Sequence, residues 1–143
     1  MAAVSVSASL PATPERTWAT VADLSRFGEW LVLHEGWRGS LPETLAEGVR
    51  LTSVVRVKGF RNRIAWLIER YDPPRALRIS GRGIGGTQVS LVLSVRENGS
   101  GAVVAVDADV TGPATVGPIG MVIGRAVRGE LRRSVARLTD LLG

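Results

Sequence analysis

The sequence predicts an α+β fold: a curved antiparallel sheet of about six strands wrapped around one long C-terminal helix, with two short helices after the first strand. Two observations carry this reading. From Val116 to Leu142 the apolar residues recur with helical period. At about 100° per residue, Val116, Ile119, Ile123, Val127, Leu131, Val135, Leu138 and Leu142 share one face, while Arg125, Arg128 and Arg132 lie opposite. Before that helix, about 60 residues alternate apolar with polar in period two, the pattern of a sheet wet on one side. A single amphipathic helix that follows such a sheet must lie across it. A curved sheet leaves a space under the helix, and that space is where a ligand belongs.

The elements follow in order. Ala2 to Leu10 alternates small polar with apolar residues and reads as a strand. Thr13 then suits a helix cap, Pro14 its first position and Glu15 its positive end, so a short helix with Trp18, Val21 and Ala22 on its apolar side begins here. Asp23-Leu24-Ser25 breaks it before a second short helix, Arg26 to about Leu31, carrying Phe27 and Trp30. Leu33 to Gly48, with His34, Gly36, Trp37, Gly39 and Pro42, reads as loop. Strands resume over Val49 to Lys58 and about Asn62 to Tyr71, and Asp72-Pro73-Pro74 ends the latter because proline cannot donate to a ladder. Ala76 to Arg82, Gln88 to Arg96 and Ala102 to Thr111 complete the sheet, the last two joined at Asn98-Gly99, a hairpin signal. Gly112-Pro113 and Gly117-Pro118 turn the chain into the final helix.

At 143 residues the chain fits one domain, residues 1–143, able to bury a core of its own. It has no cysteine, which excludes disulfides, thiol catalysis and cysteine-held zinc. No apolar run approaches the 18 or so residues of a membrane span, and the N-terminus lacks a basic leader, so the expected location is the cytoplasm. The net charge is +5, and Lys58 is the only lysine among 18 basic residues. The arginines are scattered among Glu69, Glu97, Asp107 and Asp109, which predicts a solvated face with cross-strand ion pairs and no specific nucleic-acid site.

Chemical motifs are sparse. His34 is the only histidine, so a metal site would need Glu35 or Glu43 with water; no metal and no cofactor are expected. His34 remains the candidate acid or base, since its segment can reach a cavity mouth. No Gly-x-Ser-x-Gly and no phosphate-binding Gly-x-x-x-x-Gly-Lys occurs, and Gly81 to Gly86 joins two strands without opening a helix. Candidate inward polar groups are Ser53, Asn62, Gln88, His34 and Ser134. So few polar groups in an apolar space favour binding over catalysis. The residues expected to line the space are Trp30, His34, Leu51, Val55, Ile64, Trp66, Leu77, Leu91, Gly120, Ile123, Gly124, Val127, Leu131 and Ser134, from their inward phase on each element.

Local markers then add a family. Pro14-Glu15-Arg16-Thr17-Trp18, Asp23-Leu24-Ser25-Arg26-Phe27-Gly28-Glu29-Trp30, Tyr71-Asp72-Pro73-Pro74-Arg75 and the glycine-rich entry to the last helix resemble the START/Bet v 1-like helix-grip superfamily, in its polyketide cyclase or dehydrase branch. The resemblance covers essentially the whole chain and implies a cavity for a lipid- or polyketide-like molecule. Trp30-Leu31-Val32-Leu33-His34-Glu35-Gly36-Trp37 further resembles an actinobacterial group of toxins from type II toxin-antitoxin pairs, which implies a short antitoxin-like partner. The primary expectation is non-catalytic binding of a small hydrophobic molecule. The alternatives are a toxin acting through protein interaction, and a polyketide aromatase or cyclase. Nothing in the sequence selects between a monomer and a homodimer.

Overall fold

The computed structural model describes residues 2–57, 60–113 and 117–143, with the backbone alone for residues 2 and 60. Along them run β1 (Ala2–Leu10), α1 (Pro14–Val21), α2 (Phe27–Trp30), β2 (His34–Arg38), β3 (Arg50–Val57), β4 (Phe60–Asp72), β5 (Ala76–Arg82), β6 (Gln88–Asn98), β7 (Gly101–Thr111) and α3 (Pro118–Leu142). The seven strands form one antiparallel sheet in the order β1-β7-β6-β5-β4-β3-β2. The N-terminal strand therefore borders the last strand, and the sheet's other edge is β2.

The sheet has one strand more than the sequence predicts, and the extra strand lies in the stretch read as loop. In β2, His34 faces Val55, but the next pairs are Gly36 with Val54 and Trp37 with Ser53, so the register slips across Glu35. A bulge of this kind cancels period-two alternation, and with glycines at 36 and 39 the segment carries no recognisable strand pattern. A second bulge interrupts β4 between Ile68 and Arg70 and bends that long strand.

Local signals place the short helices. The Thr13 side chain accepts the Arg16 N–H at 3.2 Å and Pro14 opens α1, while Asp23 accepts the Ser25 N–H at 3.1 Å and caps a 3-10 turn over Leu24–Arg26 that leads into α2. Trp18, Val21, Phe27 and Trp30 from this corner are buried together with Leu24 and Leu31.

The stripe on α3 divides into two parts. Val127, Leu131, Val135, Leu138 and Leu142 are buried, with the helix lying against β1 and α2. Toward its start, Ile123 is half-buried and Ile119 is 61% exposed. Val116 lies outside the described residues. The C-terminal turns of α3 thus join the same core as Val104, Val106 and Leu93, while the N-terminal turns ride over open space.

Candidate functional site

That space is a cavity of about 550 Å³ between the concave face of the sheet and the first turns of α3. Its volume falls within the range of small-molecule sites. Ile64, Trp66, Ile79, Leu91 and Ala108 form its floor, and Ile119, Val122, Ile123, Ala126 and Val127 from α3 form its roof. Phe27, Leu31, Leu33, His34 and Trp37 close one side. No Asp, Glu, Lys or Arg lines it among the described residues.

The bulge in β2 explains how two ring side chains reach this wall. His34 and Trp37 are three residues apart, an odd spacing that would put them on opposite faces of a regular strand; the extra residue at the slip turns both inward. Their rings lie 4.8 Å apart, and each sits against Phe27, with centroids at 5.8 and 5.7 Å. Trp37 donates its indole N–H to the Leu24 carbonyl at 2.7 Å, which ties β2 to the turn before α2. Among the described residues the His34 imidazole has no hydrogen-bond partner, and burial pushes its pKa down to about 4, so it is neutral near pH 7. The adjacent Glu35 is exposed and accepts from Arg61 at 3.1 Å, a bond that holds its carboxyl below the ordinary range. Glu35 is thus paired away from His34, and among the described residues no three His, Asp or Glu side chains converge to hold a metal ion.

Three more polar side chains reach the wall: Ser53, Asn62 and Thr87. Ser53 is 1% exposed and accepts the Trp66 indole N–H at 2.7 Å. Asn62 accepts the Ile84 backbone N–H at 3.1 Å, and Thr87 donates to the Ile84 carbonyl at 2.8 Å. The Asn62 amide lies over Gly83, where a Cβ would meet Oδ1 at 2.8 Å and Nδ2 at 2.9 Å, so glycine at 83 leaves room for it.

Of the residues expected on the wall, His34, Val55, Ile64, Trp66, Leu91, Ile123 and Val127 are there. Trp30 is not on the wall: it is fully buried and edge-on to Phe27 at 5.8 Å, with its indole N–H unpaired among the described residues. Leu51, Leu77 and Leu131 are core residues off the cavity wall. Gly120 and Gly124 are also off it. Ser134 does not face the space. Its hydroxyl accepts the Val32 N–H at 2.8 Å and donates to the Glu130 carbonyl at 2.9 Å, fastening α3 to the segment after α2. Gln88 is exposed on the outer face of the sheet. Sequence reasoning missed Phe27 and Trp37 as wall residues; their aromatic character was visible, but the bulge that aims Trp37 was not.

The outer face of the sheet carries polar and charged side chains. Glu69 pairs with Arg78 across β4 and β5 at 3.2 Å, and Asp107 bonds Ser5 across β1 and β7. Glu97, Asp107 and Asp109 form no ion pair among the described residues, which departs from the expected pattern. Arg125, Arg128 and Arg132 are exposed on α3. Among the described residues no helix is long and apolar enough to cross a membrane.

A curled antiparallel sheet gripping one long helix over a ligand-sized apolar cavity defines a helix-grip domain. The chain belongs to the polyketide cyclase/dehydrase and lipid transport family, whose family model matches residues 1–143. It is 44% identical over 135 residues, 94% of each chain, to a Mycobacterium tuberculosis protein named Toxin Rv0910. It is 41% identical over the full 143 residues of both chains to the protein Rv1546 of the same organism. The fold matches a START superfamily protein from Mycobacterium smegmatis with a TM-score of 0.76 at 16% identity, covering 98% of this chain and 96% of the other. It matches TTHA0849 from Thermus thermophilus with a TM-score of 0.79 at 18% identity, again over 98% and 96%.

Proposed function

We propose that this protein binds a small hydrophobic molecule in the cavity between its sheet and α3, acts in the cytoplasm, and carries out no reaction on that molecule. The observation that carries the reading is the cavity itself: about 550 Å³ walled by aliphatic and aromatic side chains, with His34, Ser53, Asn62, Thr87 and the two indole N–H groups as its uncharged polar groups and no charged one among the described residues. Burying apolar ligand surface there is favourable at about 25 cal/mol per Å² before the costs of association. The membership of the chain in a family that includes lipid transport supports the same reading. Catalysis has less support. His34 is a single acid–base group without a partner among the described residues, and Tyr71, the only tyrosine, lies against Trp18 at 6.2 Å and off the cavity wall. Native mass spectrometry of freshly purified protein tests the proposal: a mass above that of the chain, lost on denaturation and recovered in an organic extract, is the expected result. Bare protein that also fails to take up any hydrophobic probe contradicts it.

A second reading has one specific observation behind it. The relative named as a toxin raises the case that the chain restrains growth through a protein partner, with a short antitoxin-like chain to neutralise it. Ile84, Ile119, Met121 and Val122 are 61 to 73% exposed and offer apolar surface for such contact. Induced expression, alone and together with any short reading frame found beside the gene, decides this: growth arrest relieved by such a neighbour supports it, and unaffected growth removes it.

A further inference from the structure

The polar groups on the cavity wall are not equivalent, because the protein satisfies some of their protons and leaves others. Trp37 donates to the Leu24 carbonyl, Trp66 to Ser53 Oγ and Thr87 to the Ile84 carbonyl, so these three present no proton to a ligand. Ser53 accepts from Trp66, and its own hydroxyl proton has no acceptor among the described residues. Asn62 Oδ1 accepts from Ile84, which leaves the Nδ2 protons without an acceptor among the described residues. The neutral His34 ring carries one N–H, also without an acceptor there.

These three donors form one patch. Val55 on β3 pairs with His34 on one side and Asn62 on the other, and Ser53 lies two residues along the same strand, on the same face. Neighbouring strands lie about 4.8 Å apart, so the patch spans roughly 10 Å across β2, β3 and β4. Its complement is an acceptor atom. The donors are all uncharged, and no cation on the described wall would balance an anion; an ionised carboxylate buried there would lose its hydration without a counter-charge. An ammonium group would find no carboxylate.

We propose that the cavity selects uncharged hydrophobic molecules bearing a carbonyl oxygen, which the Ser53, Asn62 and His34 patch receives, in preference to fatty acids or amines. This rests on the binding reading above and adds the chemical class of the ligand. The buried Ser53 hydroxyl proton, which has no acceptor among the described residues, gains one from such an oxygen, and that gain over a bare hydrocarbon is the basis of selection.

Tryptophan fluorescence of the intact protein, with Trp37 and Trp66 on the wall as reporters, tests this with matched probes: 5α-androstane, its 3-ketone and its 17β-carboxylic acid at neutral pH. A straight-chain set, tetradecane, tetradecan-2-one and tetradecanoate, repeats the comparison with another shape. The ketone of at least one set is expected to bind about tenfold more tightly than its hydrocarbon and its acid. In Asn62→Leu and His34→Phe the ketone should lose about three- to tenfold, with hydrocarbon affinity unchanged; Ser53→Ala should behave alike provided its melting curve stays cooperative. Equal binding of ketone and hydrocarbon, tighter binding of the acid, or variants that weaken both probes alike would overturn the inference while leaving the binding reading intact. Failure of all six probes to bind would overturn both.

Discussion

His34 is a titratable group held in an apolar wall, and its position has a measurable consequence. Its folded pKa of about 4 lies below the ordinary 6.5, so between those values the unfolded chain binds a proton that the folded chain does not. Stability is then fully present above about pH 6.5, falls as pH drops toward 4, and loses nothing further from this group below that. Urea unfolding at several pH values should show the wild type losing more stability across this window than His34→Phe; parallel losses would show that His34 does not report its surroundings this way. Ser134 makes a different prediction. The sequence suggested that it faces the ligand space, but its hydroxyl bridges Val32 and Glu130, so Ser134→Ala should cost about 1–3 kcal/mol by leaving the Val32 N–H without its partner. An unchanged melting temperature would contradict that role.

At the scale of elements, β5 must come close to β4 where Trp66 and Gly81 pair across the two strands. A Cβ on Gly81 would meet the Ile64 side chain, Ala65 O at 2.9 Å and Trp66 Cε3 at 2.9 Å. Gly81→Ala should therefore destabilise by about 1–3 kcal/mol and disturb the cavity floor, which thermal melting and probe affinity read together. On α3, Arg125, Arg128 and Arg132 share an exposed face with no base-reading amide among them, so they should support only weak, steeply salt-dependent DNA binding. Sequence-selective, nanomolar binding in fluorescence anisotropy at physiological salt would refute this. The elements also show what the sequence could and could not reveal. Regular alternation in β3, β6 and β7 and the period of α3 were legible because each residue's facing follows from its neighbour's. In β2 the slip across Glu35 removes that rule, so the strand read as loop and Trp37 went unassigned to the wall. On α3 the single stripe concealed a change of role, since periodicity says which residues face inward but not whether they meet side chains or empty space. That is why Ile123 and Val127 line the cavity while Leu131 is core.

For the molecule as a whole, the seven-strand sheet and α3 enclose more volume than their side chains fill, and the surplus collects under the first turns of the helix. Ala108 on β7 and Ala126 on α3 face this volume from opposite layers, and both are small where a large residue would fill it. The measurement that tests the central claim most directly is titration of a hydrophobic fluorophore into wild type, Ala108→Phe and Ala126→Phe, with melting temperatures recorded on the same samples. Saturable binding by the wild type, lost or weakened at least about tenfold in both variants whose melting temperatures change little, is the predicted result. Equal affinity in all three proteins would place the bound probe elsewhere and contradict the claim that this cavity is the binding site.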